Sequence, residues 1–291
     1  MNVIDRFYKA SLHLIPMTRA RLFMARILYI LLYGVLRKDI HRIRRKGVFY
    51  EVDLSEGIDL SLFLFGHFQD HITNNKLLSF PEDAVIFDIG ANIGSMALRF
   101  AKLSPHGHVF AFEPTVYAFN KLRRNLALNP ELAERITPVQ CFVSDQTRPD
   151  SQIKAYSSWK IDGSGADKHP LHGGILKAAG STLAVSIDDF CLQHDIQKID
   201  LIKIDTDGHE LSVLRGARET LRKNHPSLIF EIGLYVLQEQ KIRFESYDNI
   251  LSAAGYRMFN SKNGREVTLE NYFWEIPLRS TIDIVALVQK G

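Results

Sequence analysis

The chain of 291 residues has only two cysteines, Cys141 and Cys191, and neither stands in a Cys-x-x-Cys pair. So few cysteines exclude a disulfide framework and point to a reducing, cytoplasmic setting. Cys141 lies in an apolar run and reads as a buried core thiol. An excess of one charge is missing too. The formal net charge is +3, too mild to mark a nucleic-acid binder. No uncharged apolar run reaches the roughly 20 residues of a membrane-spanning helix. The most apolar stretch, Leu22 to Leu36, is shorter and contains Arg26. It starts too late for a secretory signal and lacks the small-residue cleavage pattern. Repeats and disordered or collagen-like compositions are absent as well.

What is present is ordinary globular material, 46% hydrophobic and 24% charged. That is enough for one large domain with an extension. The expected division is an N-terminal extension over 1–80 and a main domain over 81–291. Residues 1 to about 46 read as helical and basic, with Arg37, Lys38, His41, Arg42, Arg44, Arg45 and Lys46 crowded at their end. A helix packed on the domain, with its charges solvated, is the first reading. Peripheral contact with an anionic membrane surface is the alternative.

From Ala84 onward short apolar strands alternate with amphipathic helices. Strands are expected at 85–88, 109–112, 136–143, 200–205, 228–231, 256–259 and 282–288. Helices are expected at 96–103, 117–128, 210–221 and 247–254, with another beginning near Val185 and Ser186 as its N-cap. This rhythm predicts a mostly parallel α/β sheet covered on both faces. The stretch 144–181, rich in Gly, Ser, His and Lys, reads as a surface excursion that could form a lid around Trp159 and His169.

In such sheets ligands bind beyond the carboxyl ends of the strands. The first strand–helix turn reads Asp88-Ile89-Gly90-Ala91-Asn92-Ile93-Gly94. Gly90 permits a tight turn and a close approach, Gly94 lets the helix pack near the strand, and Asn92 tolerates unusual backbone angles. A dinucleotide site wants Gly-x-Gly-x-x-Gly, but the places of the three glycines hold Gly90, Asn92 and Ser95. S-Adenosylmethionine has no phosphate to cradle; its sulfonium and ammonium favour an acid at the strand end, and Asp88 is there. The second strand ends in Glu113-Pro114, where a carboxylate can accept both ribose hydroxyls.

These segments, "VIFDIGANIGSMALRFAKL", "VFAFEPTVYAFNKLRRNLALN", "STLAVSIDDF", "IDLIKIDTDGHELSVLRGA" and "PSLIFEIG", resemble in order the FkbM-type S-adenosylmethionine-dependent methyltransferases. The resemblance implies the Rossmann-like class I methyltransferase fold, with seven strands and the last antiparallel, and makes 81–291 the methyltransferase domain. It implies a cofactor site at Asp88, Gly90, Ala91, Asn92, Gly94, Glu113 and Pro114, with Val143 and Ser144 beside the adenine. One departure stands out: the family's fourth-strand motif ends Glu-Gly, and here the acid is Asp207.

Methyl transfer to a hydroxyl needs alignment and a group to take the proton. Acids and a histidine gather after the fourth strand. Asp205 is the expected catalytic acid, with His209 and Glu231 as further candidates. Asp207 with Gly208 could instead shape the turn and cap the next helix, and Glu210 could compensate the helix dipole. The grouping admits a divalent metal, but no strong ligand spacing is present and none is assigned. His67, Phe68 and Gln69 are candidates for contact with the acceptor. The family points to hydroxyls of sugars, glycans or polyketide-like molecules. N- or protein methylation, or a catalytically impaired cofactor-binding partner, are the alternatives. No nucleic-acid substrate is expected, because the fourth strand is not followed by the Asn/Asp-Pro-Pro-aromatic motif.

Overall fold

The computed structural model describes residues 40–66, 68–151, 154–157, 175–178, 182–278 and 280–288. The apolar stretch 22–36, His67, Trp159 and His169 lie outside them, and so does the proposed lipid contact of the N-terminal helix. Among the described residues no helix is long and apolar enough to cross a membrane.

The chain divides into two units, Met1–Phe68 with Tyr156–Lys177, and Gln69–Ala155 with Ala178–Gly291. In the first, Ile40–Arg45 (β1) and Val48–Asp53 (β2) form an antiparallel hairpin. The basic run expected as a helix end is therefore in part a strand. Lys46 and Gly47 both take positive φ, 50° and 82°, the backbone of a two-residue hairpin turn whose twist matches its strands. Exposure alternates along β1, so Arg42 and Arg44 face outward while Arg45 turns toward Gly57–Phe65 (α1). The Arg45 guanidinium donates to the carbonyls of Leu62 and Phe63, placing a cation on that helix's negative end.

The second unit begins with the short helix Asp70–Thr73 (α2). Val85–Ile89 (β3), Ser95–Leu103 (α3), His108–Phe112 (β4) and Val116–Ala127 (α4) then follow the expected alternation. Thr115 caps α4 by accepting from the Ala118 amide. After Pro130–Ala133 (α5), the predicted third strand breaks in two: Ile136–Val139 (β5) joins the main sheet, and Phe142–Val143 (β6) leaves it. Pro138 lacks an amide proton, and it sits where the sheet ends: β5 is the edge strand. Arg148–Ser151 (β7), Lys154–Ser157 (β8), Ile175–Ala178 (β9) and Thr182–Val185 (β10) fall in or beside the excursion. β10 pairs with β6 in parallel and with β7 antiparallel.

Ile187–Gln193 (α6) starts at Ser186, whose hydroxyl accepts from the Asp189 amide at 3.1 Å. Leu201–Ile204 (β11) leads to Glu210–Arg215 (α7) and Arg218–Asn224 (α8). One helix was predicted there. It is interrupted at Gly216, where a Cβ would stand 2.1 Å from the Ser144 carbonyl oxygen. Ser227–Ile232 (β12), Leu234–Glu239 (α9), Glu245–Ala253 (α10), Tyr256–Asn260 (β13), Glu266–Val267 (β14), Tyr272–Glu275 (α11) and Ile282–Val288 (β15) complete the chain.

The main sheet has the order β14-β13-β15-β12-β11-β3-β4-β5. Neighbours from β12 to β5 run parallel, and β15 is antiparallel to both β12 and β13. This is the predicted class I methyltransferase sheet with a short eighth strand, β14, hairpinned on its edge. Strand order reverses between β3 and β11, so a crevice opens at their carboxyl ends. Phe87, Phe112 and Phe190 lie buried beneath it, with ring centroids 5.3, 4.9 and 5.9 Å apart. Each such pair contributes about 0.5–1.5 kcal/mol beyond burial and makes a stiff floor for the strand ends.

Candidate active site

The crevice is built from the turns after β3, β4, β11 and β12. At the first, Gly90 has φ +77°, and a Cβ there would stand 1.9 Å from the Asp205 carbonyl oxygen. The close neighbour that demands glycine is thus the chain's own fourth-strand turn. The amides of Gly90 and Ala91 both donate to the Phe112 carbonyl, at 3.0 and 2.9 Å. Asn92 takes φ +48° and donates its amide to Glu113 Oε2 at 3.0 Å. Gly94, at φ +82°, opens α3, and a Cβ on it would meet Leu122 Cδ1 at 2.3 Å.

Glu113 is buried. Besides Asn92, it accepts from the Thr115 amide at 2.9 Å and the Thr115 hydroxyl at 2.5 Å. A carboxylate offers about four lone-pair sites. Donors among the described residues take three, which leaves one on Oε2 for a ligand. Pro114 accepts from Thr182 Oγ1 through its carbonyl at 3.4 Å. Val143 is packed in the core. Ser144 Oγ lies 3.2 Å from Ser212 Oγ and 3.0 Å from Asp145 Oδ1, so its hydroxyl ties β6 to α7.

Asp88 is wholly buried and stands directly across the sheet from Lys203, its register partner on β11. The Lys203 ammonium, itself buried, lies 3.1 Å from Asp88 Oδ1, 3.4 Å from Asp205 Oδ2 and 3.3 Å from the Gly90 carbonyl. Burial opposes its charge, but the carboxylates of Asp88 and Asp205 overcome that and hold the amine above the ordinary lysine range. Asp88 therefore neutralises a lysine rather than presenting an open charge to a sulfonium. Lys203 is the residue that sequence reasoning missed. The signal was a lysine inside the otherwise apolar tetrad Leu-Ile-Lys-Ile.

Asp205 keeps 29% side-chain exposure and accepts from Gln69 Nε2 at 2.8 Å. One oxygen each from Asp205, Asp207 and Glu231 lie within 4.8 Å of one another. That is the one group among the described residues with the reach to hold a cation, and acids can cluster so without one. Asp207 takes φ +52° on the exposed turn. The cap of α7 carries no side-chain bond, so Asp207 does not serve as one. Glu210 shapes this turn, accepting from the Thr206 amide and hydroxyl, both at 3.0 Å, and from the Gly208 amide at 3.1 Å. His209 packs edge-on against Phe142, centroids 5.0 Å apart, and burial holds its imidazole below the usual histidine range.

Glu231, at the end of β12, accepts from Thr281 Oγ1. Burial, then the charge of Asp205, push its carboxyl up to about 8. Its proton is therefore retained at neutral pH, which suits a hydrogen-bond donor better than a base. A carboxyl whose pKa is raised on folding gives stability that is full below its unfolded pKa and is lost as pH rises through the folded value. The melting temperature is accordingly expected to fall between about pH 5 and pH 8. Glu231→Gln should flatten that slope. An unchanged slope in the variant would remove Glu231 as its source.

The chain is 32% identical over 157 residues to the 2-O-methyltransferase NoeI of Sinorhizobium fredii, covering 51% of this chain and 63% of that protein. It is 28% identical over 141 residues to the hexuronic acid methyltransferase AglP of Haloferax volcanii, covering 48% and 53%. The match thus spans less than two thirds of each relative's length. The crystal structure of the methyltransferase FkbM from Methylobacillus flagellatus overlaps with a TM-score of 0.46 at 20% identity, covering 78% of this chain and 52% of that one. The model of the methyltransferase FkbM domain matches residues 88–258, from the buried aspartate of β3 to the middle of β13, and the chain belongs to that family.

Proposed function

We propose that the protein transfers the methyl group of S-adenosylmethionine to a hydroxyl of a sugar, glycan or polyketide-like acceptor. The observation that carries this reading is the placement of Asp205. It stands at the strand-order reversal beside the Gly90 bend, partly exposed and held by Gln69. On this reading Glu113 takes a ribose hydroxyl through its remaining site, one bond rather than the two expected from sequence. The bend of 90–94 supports the rest of the nucleoside, Asp205 takes the acceptor's proton, and the protonated Glu231 donates to a neighbouring acceptor oxygen. The bound cofactor supplies an electrophilic methyl on a cationic sulfur.

With Asp88 neutralising Lys203 and Glu231 holding its proton, the charges left at the strand ends are the carboxylates of Glu113, Asp205 and Glu210. That balance attracts a sulfonium and repels an anionic acceptor, which favours a neutral hydroxyl compound. Both cysteines are free thiols, and burial holds Cys141 up near 12 and Cys191 near 11. Unreactive unpaired thiols fit a cytoplasmic enzyme.

The test is calorimetric titration of S-adenosylmethionine and of NAD into the wild type and Glu113→Gln. Glutamine keeps the shape and removes the charge. Binding of S-adenosylmethionine alone is expected, weakened about 10- to 100-fold in the variant, the worth of one charged hydrogen bond. Tight NAD binding, or no binding of either, overturns the reading.

A further inference from the structure

Gln69 stands at the N-cap of α2 with a left-handed backbone, φ +52° and ψ +34°. A side chain other than glycine pays for that conformation, and such outliers gather where function holds them. The segment is fixed in place. Arg99 on α3 pairs with Asp70 and donates to Thr73, clamping both ends of the helix that Gln69 begins. Gln69 Nε2 donates to Asp205 Oδ2 at 2.8 Å. Its other amide atom, Oε1, is buried and accepts no hydrogen bond from any of the described residues.

The two amide atoms cannot exchange places. A flip would set the carbonyl oxygen against the Asp205 carboxylate. The donor end is thus committed, and the acceptor end is held one amide's width away with nothing to accept. A buried acceptor without a donor is an uncompensated cost in the ligand-free protein. It is offset when a donor arrives, and the molecule that must come to Asp205 is the methyl acceptor.

We propose that Gln69 is a specificity-determining residue that reads a second hydroxyl on the acceptor, adjacent to the one that is methylated. Asp205 takes the reacting hydroxyl and Gln69 Oε1 accepts from its neighbour, so the pair selects vicinal diols over isolated hydroxyls. The inference rests on the methyl-transfer reading and names the acceptor chemistry of the same site.

Gln69→Met keeps the side chain's length and removes both polar atoms. Three measurements test the proposal: the melting temperature of the ligand-free proteins, the calorimetric Kd for S-adenosylmethionine, and tritiated methyl transfer to methyl pyranosides and their matched deoxy forms. The wild type should favour a vicinal diol over its deoxy counterpart by at least about tenfold, because a site that hydrogen-bonds a hydroxyl rejects the analogue lacking it. In Gln69→Met that preference should shrink below about threefold, while cofactor affinity holds and the melting temperature does not fall. A merely structural glutamine would give the reverse, a lower melting temperature with selectivity intact. That result overturns the proposal, as does a wild type without diol preference, or one that binds S-adenosylmethionine yet methylates no pyranoside. Failure of the wild type to bind the cofactor is a failure of the parent reading, seen separately by calorimetry.

Discussion

Lys203→Met is expected to lose about 3–5 kcal/mol of stability at pH 8, the cost of breaking a buried pair by removing one partner. Asp88 has no exposure, and neither of its oxygens has a well-oriented hydrogen-bond donor. The ammonium at 3.1 Å is the charge that balances it. Without the lysine, Asp88 must either stay ionised in an apolar core or take up a proton. Burial already pushes its pKa upward, with Lys203 opposing, and the variant removes the opposition. The raised pKa then gives stability that is kept at low pH and lost as pH rises through the folded value. Urea denaturation should therefore find the variant closer to wild type at pH 5 than at pH 8. Adding Asp88→Asn should recover most of the loss, because replacing both partners of a buried pair is nearly neutral. A Lys203→Met protein as stable as wild type at pH 8 would show that the pair contributes nothing.

This lysine also marks where the sequence could be read and where it could not. The Gly90 bend, Glu113 and Asp205 were legible because each stands at the end of an apolar run, where polarity changes abruptly. The mostly parallel sheet followed from the β/α alternation, which parallel sheets impose on hydrophobicity, and its antiparallel last strand from the family resemblance. Lys203 was hidden because its partner Asp88 is 115 residues away, and only the register of β3 beside β11 brings them opposite. The close approach of Asp205 to Gly90 was hidden for the same reason. The reading of Asp88 as a sulfonium partner missed that a buried acid needs a buried base. β1 was misread because arginine and histidine blur a period-two pattern that its exposure shows plainly. The split of the run 136–143 was obscured because Gln140-Cys141 is not a turn sequence; what divides it is pairing with β10, remote in the chain.

Asp205→Asn should lower kcat for methyl transfer by about 10²–10⁴, the usual contribution of a positioned proton acceptor, while leaving the calorimetric Kd for S-adenosylmethionine within about threefold. Asparagine keeps the size and can still engage Gln69, so the turn after β11 is retained. What is lost is the negative oxygen that takes the acceptor's proton and the charge that faces Lys203 at 3.4 Å. Lys203 still has Asp88 at 3.1 Å, so the fold should survive, unlike in Lys203→Met. The neighbouring acids make the assignment specific. Glu210 is occupied with the Thr206 and Gly208 donors, and Glu231 holds its proton with a pKa near 8. Asp207 lies exposed on the turn after β11, where solvent relieves the upward push that its acidic neighbours Asp205 and Glu210 exert on it. Asp205 is the acid that Gln69 holds beside the Gly90 bend, and Asp207→Asn should leave kcat within a few-fold of wild type. If Asp205→Asn turns over normally and Asp207→Asn does not, the proton passes through the turn's exposed acid. The one-methylene shortening from the family's glutamate would then lie at the reacting centre rather than beside it.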